Sequence, residues 1–140
     1  MHGSLYHAAN ADPALAEATV RVVSRRTPGA VLFAPPQGWL ARMASGCGVT
    51  VWMEGFLDRG YRDDGTLVPR GGAGALLVGP DAVLERARDW LATGEMVTVT
   101  GRRLGLAPRT WCVHGDTPDA VAMAAAARAV FRRESAGPIA

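Results

Sequence analysis

The sequence predicts an α/β fold in which mainly parallel strands alternate with helices. Three observations carry that reading. Short apolar, β-branched runs such as Val49-Thr50-Val51-Trp52-Met53 and Thr110-Trp111-Cys112-Val113 have the pattern of buried strands. Stretches of helical period lie between such runs, which is the βαβ alternation of a parallel sheet. Polar, ionisable residues follow two of the runs directly, and open α/β sheets and β/α barrels build their sites past the C-terminal ends of their strands.

Taken in order, Asp12-Pro13 opens a helix that runs to about Arg26, with Leu15, Ala16, Thr19, Val20 and Val23 on one face. Thr27-Pro28-Gly29 breaks it, and residues 30–34 form a short strand. A second helix is expected from about Pro36 to Gly46, with Trp39, Leu40, Met43 and Ala44 as its stripe, followed by the strand 49–53. Residues 55–72, rich in Gly, Asp and Arg, read as a long loop of the kind that carries function. A short strand is expected at 73–78 and a third helix at about 81–92, with Val83, Leu84, Ala87, Trp90 and Leu91 at helical spacing. Strands are expected at 96–100 and 110–114. A last helix is expected to open at Thr117-Pro118 and to turn Ala120, Met123, Ala124, Ala127 and Phe131 inward. The four tryptophans, Trp39, Trp52, Trp90 and Trp111, fall in or beside these stripes and read as core. His2-Gly3-Ser4-Leu5-Tyr6 reads as the turn after a strand, yet no strand precedes it, as if the chain began in the middle of a fold.

Composition narrows the function classes. The 140 residues are 49% hydrophobic and 20% charged, a soluble balance, and read as one domain over 1–140. All fifteen basic residues are Arg, scattered rather than clustered, and the net charge is only +2, so a nucleic-acid surface is not expected. Cys47 and Cys112 are far apart and form no CxxC, which reads as reduced thiols of a cytoplasmic protein. Neither a signal peptide nor a run of ~18 apolar residues is found, so no membrane partner is expected.

The chemistry concentrates in Glu54-Gly-Phe-Leu-Asp-Arg-Gly-Tyr61, Asp64-Gly-Thr-Leu-Val-Pro-Arg70 and Cys112-Val-His-Gly-Asp-Thr-Pro118. With His2-Gly3-Ser4-Leu5-Tyr6, these motifs resemble the LamB/YcsF family in order and spacing over essentially the whole chain. That family includes the A subunit of bacterial 5-oxoprolinase. The resemblance implies a β/α barrel of the glycoside hydrolase/deacetylase superfamily type. It also implies ATP-dependent opening of 5-oxoproline to glutamate, with separate subunits B and C as partners. The chain departs from the family in lacking the Lys-Pro before His2, in having His7 where Asn is usual, and in lacking the Asp, His and Glu motifs of the family's N-terminal half. It therefore reads as the C-terminal portion of a larger barrel. A full barrel needs at least ~200 residues, so an open, partial β/α barrel is expected, inactive by itself.

His114 follows a strand on the side of Cys112 and is expected to act as general acid/base or ligand, exposed by Gly115-Asp116. Glu54 and Asp58 are expected beside it on the same rim, and His2 as a further catalytic residue. Arg59 and Arg70 suit two-point recognition of a carboxylate or phosphate, or else pair with Asp63 or Asp64 at the surface. Tyr61 and Gly115 join this binding group. Asp116 reads equally as a helix N-cap or as part of a helix-start anion site. Gly71-Gly72-Ala73-Gly74 has no following Lys-Ser/Thr and so is no Walker loop. A divalent metal fits the clustering of His and carboxylates but not their spacing. Two other readings stay open: a non-catalytic remnant or interaction module, and a metal-dependent hydrolase or deacetylase of the same superfamily.

Overall fold

A computed structural model of the chain describes residues 3–135, so the expectation for His2 lies outside the described residues. The chain divides into two units, one comprising Met1–Gly55 with Ala107–Thr110 and the other Phe56–Leu106 with Trp111–Ala140. The α/β class with parallel pairing holds. No helix among the described residues is long and apolar enough to cross a membrane.

In the first unit, helix α1 (Ser4–Ala11) stands where the sequence had read a turn. Tyr6 and Ala9, one helical turn apart, are its buried residues, a period too short to be conspicuous in sequence. Helix α2 (Pro13–Arg26) begins as expected: Asp12 Oδ1 accepts the N–H groups of Ala14 and Leu15 at 2.8 and 3.3 Å, and Pro13 needs no partner at the first helical position. Strand β1 (Val31–Ala34) turns Leu32 and Ala34 into a core with Ala9, Ala16, Val20, Leu40, Ala41 and Ala44. Helix α3 (Trp39–Gly46) starts three residues later than the sequence indicated, because Pro35-Pro36 precede a turn closed by Gly38 N–H to Pro35 O. Gly38 is required there. A Cβ at that position would stand 1.9 Å from Asn10 Oδ1 and 3.0 Å from Asn10 Cβ, so no rotation of Asn10 would clear it.

Strand β2 (Thr50–Phe56) pairs in parallel with β1 in the register Val31↔Thr50 to Ala34↔Met53. It runs three residues beyond its expected end, which places Glu54 inside the strand rather than after it. Trp52 stacks on Phe33 of β1, with ring centroids 5.9 Å apart, and the Arg109 guanidinium lies 4.9 Å from the centre of its ring. Phe33 stays 41% exposed, so this aromatic pair is a surface rather than the core position expected for Trp52.

The second unit packs helix α4 (Pro80–Thr93) against helix α5 (Ala120–Ser135). Val83 and Ala87 of α4 meet Met123, Ala127 and Val130 of α5 around Leu57. Val130 thus takes the place expected for Ala124, which is exposed. Trp90, Trp111 and Phe131 form an aromatic trio, with centroids 4.8 to 6.2 Å apart. After α4, Gly94 closes the helix in the left-handed region, and β3 (Glu95–Val97) pairs antiparallel with β4 (Arg103–Gly105). The sequence reading missed β4, whose three residues are too few for an alternation to register. No strand forms at 73–78; Leu76 makes one isolated antiparallel bridge to Arg59. Strand β5 (Thr110–Cys112) completes the order β1-β2-β5. Arg109 N–H reaches Met53 O at 2.8 Å in the first unit, and Leu57 N–H reaches Cys112 O at 3.1 Å in the second.

Candidate active site

The second unit gathers most of the sequence-predicted residues. β2 delivers Asp58 two residues past its end, and β5 delivers His114 two residues past its own. Their side chains meet across 56 positions of sequence. Asp58 is wholly buried. Its Oδ2 accepts the backbone N–H of His114 at 2.7 Å, and both its oxygens lie 3.0 Å from Nδ1 of the ring. A carboxylate can only accept, so Nδ1 carries a proton, and in the neutral ring that leaves the lone pair on Nε2. The ring stacks on Phe56, with centroids 5.8 Å apart and planes 15° apart, and Thr117 Oγ1 donates to His114 O at 3.0 Å. The imidazole is thus held on one edge and one face, with its side chain 19% exposed. A carboxylate-oriented imidazole of this kind can accept a proton at Nε2 and return it.

The two arginines of the motifs divide sharply. Arg59 is 2% exposed; its Nε donates to Ala75 O at 3.1 Å and its Nη2 to Val68 O at 2.7 Å. Burial pulls its pKa below the usual arginine value. The charge of Arg70 adds to that, while Asp58, Tyr61 and Asp116 oppose it. Its donors tie the loop 57–78 together from inside. Gly60 lets the loop's own backbone approach, since a Cβ there would lie 2.0 Å from Gly74 O. Arg70 is exposed instead and pairs in two-point fashion with Asp116, Nη1 to Oδ2 at 2.9 Å and Nη2 to Oδ1 at 3.4 Å.

Asp116 is no helix cap: α5 begins only at Ala120, and Asp116 instead faces Arg70. The hydrogen bond from Arg70 holds its carboxyl below the usual range, with the charges of Arg70 and His114 contributing. Tyr61 is buried, and its hydroxyl accepts the N–H of Phe56 at 2.7 Å, so it steadies the end of β2. Gly115 is an exposed link between His114 and Asp116. In the first unit, Glu54 is 4% exposed and its Oε2 is buried with no hydrogen-bond partner among the described residues. A buried carboxylate oxygen left that way is costly, which marks Glu54 as a group awaiting a donor. Among the described residues no three His, Cys, Asp or Glu side chains come close enough to hold a metal ion.

Sequence reasoning missed Arg86. It lies on the buried stripe of α4, three residues after Val83 and four before Trp90, and a lone charge on an apolar stripe was the available signal. Its Nη1 donates to the carbonyls of Leu57 and Arg59, on either side of Asp58.

Three exposed carboxylates of this unit make acid behaviour predictable. Thr98 and Thr100 donate to Asp63 at 2.6 and 2.7 Å, Thr66 donates twice to Asp64, and Arg70 donates to Asp116. Each partner lowers the carboxyl pKa. In the unfolded chain these groups take up protons near pH ~3.9, and in the folded chain only below that. Their contribution is therefore complete above the unfolded value and is lost as pH falls through the folded ones. The urea midpoint should hold from pH 7 to about 5 and decline below about 4. In Asp63→Asn that decline should be shallower, and an identical decline in both proteins would contradict the assignment.

The chain matches the LamB/YcsF family over residues 1–137. It is 41% identical over 136 residues to the A subunit of 5-oxoprolinase from Heliobacterium modesticaldum, covering 97% of this chain and 53% of that protein. It is 40% identical over 120 residues to the protein of the same name from Symbiobacterium thermophilum, covering 86% and 46%. Among solved structures it is similar to the lactam utilization protein of Thermus thermophilus. That match has a TM-score of 0.86 and 28% identity over 96% of this chain and 53% of the other. The chain thus spans about half the length of the relatives it matches. With the motifs, the fold and the match agreeing over nearly every residue, the chain belongs to the LamB/YcsF family.

Proposed function

We propose that this chain supplies the C-terminal portion of a 5-oxoprolinase A subunit, working in the cytoplasm with subunits B and C in the ATP-dependent hydrolysis of 5-oxoproline to glutamate. The observation that carries the reading is the Asp58–His114 pair, an oriented imidazole of the kind that lactam hydrolysis needs. The names of the relatives point to the same substrate class.

A lactam carbonyl is a poor electrophile, and ATP, when bound, supplies the phosphoryl group that turns its oxygen into a leaving group. The residues here have simpler tasks. His114 Nε2 takes a proton from the attacking water and returns one to the ring nitrogen as the C–N bond opens, which frees the amine and leaves the phosphoryl group on the new carboxyl; a second water then releases it as inorganic phosphate, giving glutamate. Asp58 holds Nδ1 and stabilises the imidazolium that forms between those two steps. Arg70 is placed for an anionic group, either the substrate carboxylate or a phosphate. An incoming anion would compete with Asp116 for the same guanidinium fork. Glu54, with an oxygen in want of a donor, is a candidate for contact with a protonated group.

The test is to join this chain, by fusion or co-expression, to the N-terminal portion of the Heliobacterium relative, supply subunits B and C, and assay glutamate formed from 5-oxoproline and ATP. Turnover is expected in the joined protein and none in the 140-residue chain with B and C alone. A soluble, folded assembly without turnover would overturn the reading.

A further inference from the structure

Arg86 has no part in the chemistry above, yet it reaches the backbone on both sides of Asp58. Its Nη1 donates to Leu57 O at 3.5 Å and to Arg59 O at closer range. The carbonyl between them, that of Asp58, accepts the N–H of Leu77 at 2.9 Å, and the N–H of Leu57 is held by Cys112 O at 3.1 Å. Asp58 lies past the end of β2, between the pairing of Leu57 with Cys112 and the single bridge of Arg59 to Leu76, and a small turn of its backbone would move both of its bonds to His114. Arg86 is half-buried, on a helix anchored by Val83 and Ala87, so its stem has a rigid base. Burial lowers its pKa, and the neighbouring charges of Tyr61 and Asp58 offset this in part. The other charged groups around the pair are Arg59, Arg70 and Asp116.

We propose that Arg86 is the positioning residue of the Asp58–His114 pair. By holding the carbonyls of Leu57 and Arg59 it keeps Asp58 against Nδ1, so that Nε2 is the nitrogen presented for proton transfer. The proposal rests on the acid/base reading of that pair, and its test does not depend on turnover.

The readout is the tautomer of His114 in the ¹⁵N-histidine-labelled 140-residue chain, followed by long-range ¹H–¹⁵N NMR above the imidazole pKa and assigned with His114→Asn. The unaltered chain should hold the Nδ1–H form. Arg86→Met and Arg86→Gln should populate both tautomers, whereas Arg88→Gln, on the exposed side of the same helix, should leave the first form in place. Should the neutral variants fail to fold, Arg86→Lys keeps a cation and a donor on a shorter reach and should give an intermediate mixture. In the joined, active protein Arg86→Lys should lower kcat by roughly tenfold, with KM little changed, the effect of a misplaced rather than a missing group. An unchanged tautomer in the folded variants, or an equal change in Arg88→Gln, would overturn the proposal. A tautomer shift in a protein that never turns over would leave the positioning role standing and remove the 5-oxoprolinase reading instead.

Discussion

Replacing His114 with Ala in the joined, active protein is expected to lower kcat by roughly 10²-fold or more, the usual scale for a positioned acid or base. The fold should lose some stability as well, because Asp58 Oδ1 stays buried without its partner, while Oδ2 keeps the backbone N–H of residue 114. The side chain is partly exposed, and the backbone around Asp58 keeps its other contacts, the Asp58 carbonyl with Leu77 N–H and the carbonyls on either side of it with Arg86. Asp58→Asn is expected to be nearly as damaging to the rate, for a different reason. An amide can turn its NH₂ towards Nδ1, which would stabilise the opposite tautomer and put the proton on Nε2, where the lone pair is needed. The two losses should not add in the double variant, because the pair acts as one unit. Full additivity, or wild-type rates in either folded single variant, would show that the pair is structural. The measurement is steady-state glutamate formation, with circular dichroism to confirm folding.

The second large effect is on stability and concerns Arg59. Arg59→Met keeps most of the volume but removes both donors, leaving Val68 O without its 2.7 Å partner and Ala75 O with only the N–H of Gly60. Hydrogen bonds from a charged donor contribute about 1.5–3 kcal/mol, and an orphaned buried carbonyl adds its own cost, so a loss of about 3 kcal/mol is expected. A urea titration would show this as a lower midpoint at unchanged slope. The same result would separate Arg59 from the substrate-contacting role that its position in the motif implied. Arg70→Lys should do the reverse, leaving the midpoint almost unmoved, since its ion pair is exposed. If Arg59→Met left the midpoint in place and raised KM, the buried geometry would have misled us.

The sequence by itself determined the features that depend on short-range periodicity and local chemistry. Asp12-Pro13 announced α2, the Val83–Ala87–Trp90 spacing announced α4, and the apolar runs announced β1, β2 and β5. These signals survive because burying one helical face or one short strand is the same requirement in every α/β layer. The motifs after β2 and β5 likewise marked where the chemistry would collect. Helix α1 and strand β4 escaped, being too short for a period to repeat within them.

Only the tertiary structure decided what each motif residue does. Arg59 and Arg70 are the same side chain in neighbouring parts of one loop. The first turned inward because the carbonyls of Val68 and Ala75 needed donors there, and the second found Asp116, 46 positions away. Asp58 became the partner of His114 because β2 and β5 end at matching heights, and Arg86 came to hold that partner because α4 lies against the same turn. Asp116, eligible in sequence as a helix cap, lost that role when α5 began four residues later. Periodicity is settled within a few residues of each position. Hydrogen-bond pairing is settled by which donors and acceptors remain without water once the chain has folded, and that is a property of the whole arrangement.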